Sequence, residues 1–457
     1  MIVILGGGVS GLTAAALLSK NHEVILVEKQ DSTGGLAKSI NINGFDFDIG
    51  SHRIHPAYNP IAMDYIKELL GDDLEKHPRN GRILINKKFI KYPPNYFTLI
   101  SNFGVKKFII WSFDFIKAKL FYFKYKKIKF NSFQDYIVSS LGKGLYEDFY
   151  EPYARKLWNL DPKELSYEPA THRVRRINIL SSIKKLFKKS DSNYFLYPKN
   201  GIGQIANEIK KEFLKNGGKL YQGYSVTNFS QKDSKITDIT IQNDSEKITL
   251  NSDKVISTIP LKSIYKLLNT NNKEISLNWR SLKIISIVTK DHIPNPYETH
   301  YIPDESYLSG RISEITKYKG FFPKENELNA ITIEIPCTFK DNIWNLDENE
   351  IVKKAVKELV DIEVLKDNPE IQSSKVININ HVYPIYKTNW KKDFNLIIDE
   401  INSVKNLYNL GRSALFLHCN IDHCIYMGHK LSDYLENPEN KNWREIQDSF
   451  QEFYVRE

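Results

Sequence analysis

The sequence predicts an α/β fold, on three observations from its first 28 residues. A short apolar run, Ile2 to Leu5, breaks into glycines, and Gly6, Gly8 and Gly11 satisfy G-x-G-x-x-G. Leu12 to Ser19 then read as an apolar helix. A second apolar run, Glu23 to Val27, ends on an acid, Glu28. Strand, glycine turn, helix and a strand closing on an acid make up the βαβ unit that binds a dinucleotide. The glycines allow a tight turn, close approach to a pyrophosphate and close helix–strand packing. The helix N-terminus offers free N–H groups and a positive dipole end to the phosphates, and Ser10 in the glycine turn is a candidate cofactor residue. Glu28, followed by Lys29, is expected on the ribose hydroxyls, where a carboxylate repels a 2′-phosphate and argues against NADP.

Length and composition set the frame. The 457 residues allow two or three domains and a large core. With 41% apolar and 26% charged residues the chain is globular in composition. Its net charge of +9 suits anionic partners, such as a sugar nucleotide or phospholipid headgroups. No nucleic-acid module is apparent, and nucleic acid is not expected as a partner. Three cysteines, Cys337, Cys419 and Cys424, build no disulfide framework, which points to a reducing, cytoplasmic setting. The apolar start is too short for a signal peptide, and no uninterrupted apolar stretch is long enough to span a bilayer.

The continuation narrows the dinucleotide. Gly34 and Gly35, with Leu36 and Ala37, follow Glu28 closely, and Phe45-Asp46-Phe47-Asp48-Ile49 runs as a strand into Gly50-Ser51-His52-Arg53-Ile54-His55-Pro56. This resembles the glycine-doublet signature of the FAD-binding amine-oxidase and UDP-galactopyranose-mutase superfamily, and G-x-H-x-x-H resembles the mutases in particular. The resemblance implies an α/β architecture with a Rossmann-like FAD-binding domain of the GR2 type and an interleaved α-helical and mixed β substrate domain. It implies a discontinuous FAD domain from 1–60, 200–262 and 400–440. A mainly helical cap would occupy 61–199, and a mixed α/β substrate region 263–399. It also implies FAD as cofactor, with His52 packed at the flavin.

Along the chain, Pro60 to Leu70 read as a helix and Arg82 to Tyr92 as a hairpin. Residues 96–130 interleave aromatic and apolar residues with lysines. Such a helix can lie on an anionic membrane surface as a peripheral contact at the inner face. The favoured reading is a helix pair covering the active site with its lysines solvated. Ser132–Ile137 and Gly142–Phe149 read as further helices. Tyr153, Lys156, Trp158 and Glu164-Leu165 resemble the Y-x-x-K-x-W-G-x-x-x-x-E-L segment of the mutases, whose aromatics contact base and sugar; Asn159 stands where the mutases carry glycine. An aromatic face suits a nucleobase or a sugar ring, and a buried anchor role is as plausible for Trp158. Arginines at 173, 175 and 176 invite a diphosphate clamp, with Arg173 the best match to the family. Asn193-Tyr194-Phe195 resembles the mutase segment that packs on uracil.

Residues 216–260 alternate as strands with tight turns, and Val226 is the position whose backbone holds the adenine edge in the family. Trp279-Arg280-Ser281-Leu282 and Arg311-Ile312-Ser313-Glu314 resemble the mutase Y-R-S-L and R-I-x-E, which implies that Arg280 and Arg311 serve the flavin and the diphosphate. A salt-bridge role is the alternative for both. His381 to Tyr386 resembles a segment preceding the last FAD contacts, with Tyr386 a candidate substrate residue. An apolar strand ending in Gly411-Arg412 would return to the cofactor, with Asn420, Ile421 and Asp422 opening a helix aimed at the flavin.

The chain departs from the mutases after Arg412. Phe416, His418, Cys419 and Asn420 replace a tyrosine-rich stretch that bonds the substrate diphosphate, and phenylalanine donates no hydrogen bond. There the chain resembles longer, protoporphyrinogen-oxidase-like relatives. The His-Cys pairs at 418–419 and 423–424 match no zinc spacing, so no metal is expected. Two reactions remain. One is a mutase on a nucleotide sugar for polysaccharide synthesis, in which reduced flavin N5 attacks the anomeric carbon and NAD(P)H is the external reductant. The other is an oxidoreductase abstracting hydride, with His52 or His55 as base.

Overall fold

A computed structural model of the chain describes all residues except 86, 93–95, 125–129, 169–170, 172–193, 269–273, 439–441 and 457, together with side chains other than those at 96–99 and 122–124. Arg173, its neighbouring arginines and the basic run at 184–189 lie outside the described residues.

The first βαβ unit forms the middle of a five-stranded parallel sheet. Its order is Leu407–Asn409, Lys254–Ser257, Ile2–Leu5, Val24–Glu28 and Lys219–Gln222. Ile4 pairs with Ile256 on one side and Leu26 on the other. A strand flanked on both edges and covered on both faces is apolar throughout, as Ile2–Leu5 is. The helix Val9–Leu18 packs between the helices Gly203–Lys215 and Ile421–Glu436, which accounts for its all-round apolar sequence. It begins at Val9, three residues before the helix read from the sequence, because Gly11 lies within its first turn rather than ahead of it.

A second, seven-stranded sheet stands beside the first. Its order is Ile371–Ile385, Asn278–Thr289, Asn329–Cys337, Arg311–Glu314, Thr299–Tyr301, Gly81–Ile85 and Lys88–Tyr92. The hairpin expected at 82–92 forms, and it extends this sheet by a parallel pairing of Thr299 with Gly81. The meander expected after 216 comprises Ser225–Lys232, Lys235–Gln242 and Lys247–Asn251.

After the hairpin in sequence come the long helix Tyr96–Lys124, kinked at Gly104 (φ 79°), and the helices Phe133–Leu141 and Glu151–Trp158. Ser132 and Asp135 close a capping box at the start of Phe133–Leu141. The last of these helices ends on Asn159 in the left-handed region (φ 52°, ψ 41°). Asparagine tolerates that conformation better than most residues, so the replacement of the mutase glycine leaves the helix stop intact. Among the described residues, no helix is long and apolar enough to cross a membrane.

Candidate functional site

A cavity of about 980 Å³ runs from the glycine turn along the face between the two sheets. That volume lies at the upper end of small-molecule sites and is large enough for a dinucleotide. Gly6, Gly8 and Ser10 line one end. The turn is sterically closed to any other residue: a Cβ on Gly11 would sit 2.1 Å from Gly6 O, and one on Gly6 2.4 Å from Thr258 Oγ1. Thr258 donates to Gly6 O at 2.9 Å and holds the turn against the neighbouring strand. Gly8 is the N-cap of the helix and brings no side chain to its first N–H groups. Those donors are therefore left for a ligand, and phosphate oxygens suit them.

Glu28 lines the same cavity at the end of its strand. Its carboxylate accepts from Gly7 N at 2.7 Å and Gln30 N at 2.8 Å, which fixes it beside the turn with lone pairs remaining for hydroxyl donors. Lys29, Gly35, Leu36 and Ala37 line the cavity next to it, and Gly34 bonds Gly7 O at 2.7 Å. Val226 also lines the cavity. Uncapped helix donors, an acid at the strand end and a turn that only glycine can form fit the pyrophosphate and ribose of an FAD. Gly6, Gly8, Ser10 and Glu28 would hold them.

Further along, Gly50, Ser51, His52, Arg311, Gly411, Arg412, Asn420 and Ile421 also line the cavity. Arg311 and Glu334 face each other across adjacent antiparallel strands. They form a bidentate pair, with Nε to Oε1 at 2.9 Å and Nη2 to Oε2 at 2.8 Å. Burial opposes the guanidinium charge, but Glu334 and the Tyr383, Tyr301 and Tyr318 hydroxyls hold its pKa well above the usual value. Glu334 also accepts from Ser51 N at 2.7 Å, which ties the loop at Gly50 and Ser51 to the second sheet. Arg311, Glu334, Leu282 and Tyr383 also line a smaller adjoining cavity with Tyr153, Lys156 and Tyr301. Arg311 therefore stands where the two meet.

His52 lies with Nδ1 3.2 Å from Gly50 O. Burial, then the charges of Arg311 and Arg412, push its pKa down to about 4, so at neutral pH it is an uncharged imidazole. The expectation of a histidine titrating near neutrality is corrected for His52 on that ground. His55 lines neither cavity; its Nδ1 accepts from Ala57 N at 3.0 Å in the turn that follows.

Several expected site residues are placed elsewhere. Arg280 is 3% exposed and lines neither cavity. Its guanidinium bonds Leu157 O at 2.7 Å, Thr338 Oγ1 at 2.5 Å and Lys156 O at 3.4 Å. Carbonyls at a helix C-terminus lack partners in their own helix, and Arg280 supplies them. Lys156 Nζ is bonded to three carbonyls, those of Ile302, Asp304 and Ser309, each at 2.7 Å. Trp158 meets Tyr383 edge to face and lines neither cavity. Tyr194 lies 3.9 Å from the Lys76 ammonium on the strand Tyr194–Pro198, also away from both. Tyr386 is buried, donating to Phe416 O at 2.8 Å and accepting from His418 N at 3.0 Å. Phe416 itself is a core residue among Trp279, Tyr386 and Trp390. The substitution of a hydroxyl-bearing residue there thus serves packing. Asp422 is buried behind the cavity, accepting from Asn59 N at 3.1 Å. Arg412 lines the cavity, but its guanidinium bonds Val382 O and Cys419 O.

Sequence reading missed Glu334, Asn378, Asn380 and Tyr383, which line the cavity from the second sheet. Tyr383 sat inside a motif already singled out, three residues before the tyrosine chosen from it. Glu334 had no local signal, since its role comes from cross-strand pairing with Arg311.

Comparison with known proteins agrees with this geometry. Residues 9–395 match the family model described as flavin-containing amine oxidoreductase. A structure of reduced UDP-galactopyranose mutase superimposes with a TM-score of 0.80 at 19% identity, covering 99% of this chain and 98% of that one. A provisionally named protoporphyrinogen oxidase from Exiguobacterium sp. 255-15 gives 0.74 at 14% identity, covering 96% and 99%. An uncharacterized protein of Methanocaldococcus jannaschii is 27% identical over 240 residues, 49% of this chain and 52% of that protein. Flavin-containing amine oxidase A of Canis lupus familiaris is 32% identical over 94 residues, 20% of this chain and 18% of its own. The chain spans about half the length or less of these curated relatives.

Proposed function

We propose that this chain, which belongs to the flavin-containing amine oxidoreductase family, is an FAD-dependent enzyme whose small-molecule substrate is a nucleotide sugar, its ring isomerised in the manner of UDP-galactopyranose mutase. The observation that carries the reading is Arg311, a cation held permanently charged where the dinucleotide cavity meets the smaller one. Bound FAD supplies two-electron chemistry and, when reduced by a donor such as NAD(P)H, a nucleophilic ring nitrogen. Arg311 binds the substrate diphosphate, with Glu334 fixing the fork of its guanidinium. Tyr153 and Tyr383 offer aromatic faces to the base and the sugar. His52, uncharged, fills the space beside Arg311 without adding a second cation. The fold likeness to a mutase over nearly the whole chain supports this substrate class.

A second reading, hydride abstraction from an amine or alcohol, is favoured by the commitment of Arg280, Arg412 and Lys156 to main-chain carbonyls. That leaves fewer cations for a diphosphate than the resemblance implies. One experiment separates the two. Protein reduced with dithionite and protein left oxidised are each incubated anaerobically with UDP-galactopyranose, and the products are resolved by chromatography. Ring-contracted product from the reduced protein alone is expected. Equal turnover in both states overturns the mutase reading, and bleaching of oxidised flavin by an amine or alcohol replaces it with the second.

A further inference from the structure

Away from both cavities, and independent of the reaction assigned to them, the long helix Tyr96–Lys124 turns an apolar face to solvent. Val105 (61%), Ile109 (60%), Phe113 (67%), Ile116 (52%) and Leu120 (67%) are exposed. At helical spacing they fall within one strip about 80° wide. Lys106 and Lys117 border the strip, and Ile110, 50% exposed, lies just beyond them. The opposite face makes the contacts with the protein: Trp111 is 5% exposed and donates to Asp148 Oδ2 at 2.8 Å, and Lys107 pairs with Asp148 Oδ1 at 2.8 Å. Asp114, the sole acid between 96 and 124 in the sequence, accepts from Gly144 N at 3.0 Å on that inner side. None of its described side chains lines either cavity.

A contiguous exposed apolar strip of this length is uncommon on a monomeric protein and marks a contact surface. The helix cannot cross a bilayer, and its charges select the occupant. An antiparallel second copy would bring Lys106 of each chain beside Lys117 of the other, a like-charge contact. An anionic headgroup layer complements them, and the acyl boundary beneath it accepts the strip.

We propose that the Tyr96–Lys124 helix seats the protein in the plane of an anionic lipid surface, with Val105, Ile109, Phe113, Ile116 and Leu120 at the acyl boundary and Lys106 and Lys117 among the headgroups.

The test is co-sedimentation of the FAD-loaded full chain with vesicles of phosphatidylcholine, with and without phosphatidylglycerol. Binding to the mixed vesicles is expected to be about tenfold or more tighter than to the neutral ones, and to weaken with added salt. Phe113→Ser combined with Leu120→Ser loses on the order of a hundredfold in partitioning. Lys106→Glu combined with Lys117→Glu removes the preference for anionic lipid. Both variants alter exposed side chains, so flavin absorbance and melting temperature stay unchanged. Absence of binding to every vesicle overturns the proposal, as does equal binding by the parent and the double serine variant. A parent dimer that becomes monomeric in the double serine variant by light scattering also overturns it, by making the face an interface between copies.

Discussion

In the proposed function the pair Arg311–Glu334 couples stability and substrate binding at single-residue scale, and the two effects can be separated. The Glu334 side chain is 6% exposed and that of Arg311 20%. Removing one partner of such a pair leaves the other charge poorly compensated, so Arg311→Ala should lower unfolding stability by about 3 kcal/mol, read from urea midpoints. Replacing both, as Arg311→Met with Glu334→Leu, should recover most of that loss, while substrate binding stays abolished. If the double variant binds substrate, Arg311 has no role in recognition. His52 supplies a pH signature. Its folded pKa of about 4 lies below the ordinary value of 6.5, so between these the unfolded chain takes up a proton that the folded chain does not. Stability therefore falls as pH drops from 6.5 toward 4. His300, lowered to about 4 chiefly by burial, acts in the same direction. Asp48, pushed up to about 6 by burial, acts in the opposite one. His52→Gln removes one of the first two contributions, and its stability profile across that window should be shallower than the parent's. An unchanged slope would mean that His52 already titrates normally.

At the scale of elements, what could be read from sequence was what local sterics dictate. The turn at Gly6 to Gly11 was legible because a Cβ at either end collides with the backbone or the adjoining strand. Gly11→Ala should therefore abolish FAD retention on gel filtration, whereas exposed helix positions such as Lys211 tolerate alanine. The destinations of long side chains were not legible. Arg280 sits in a motif that implies a diphosphate ligand, yet the carbonyls at the end of Glu151–Trp158 claim its guanidinium. Arg280→Ala should cost about 2–3 kcal/mol of stability by leaving buried acceptors without donors. Its effect on nucleotide affinity in the folded protein should be smaller than that of Arg311→Ala. A larger effect would restore Arg280 to the substrate site. Tyr194 and Tyr386 show the same limit: strand register can be read from alternation, but the cross-strand or core partner that takes the hydroxyl or ring cannot.

At the scale of the molecule, the centre of the first sheet is legible because Ile2–Leu5 and Val24–Glu28 are consecutive, apolar and joined through the glycine turn. The second sheet is not, since its edge hairpin at 81–92 comes from more than two hundred residues before its neighbour Thr299–Tyr301. The cavity lies between the two sheets, and Glu334 joins them by accepting from Ser51 N while it holds Arg311. In the proposed function that junction makes cofactor and substrate binding properties of one wall. The most direct test is a calorimetric titration of UDP into the FAD-loaded protein and its Arg311→Ala variant. Micromolar binding to the parent, lost in the variant while flavin content is retained, is the expected result; no binding to the parent, or equal binding to both, would contradict a nucleotide sugar held at Arg311.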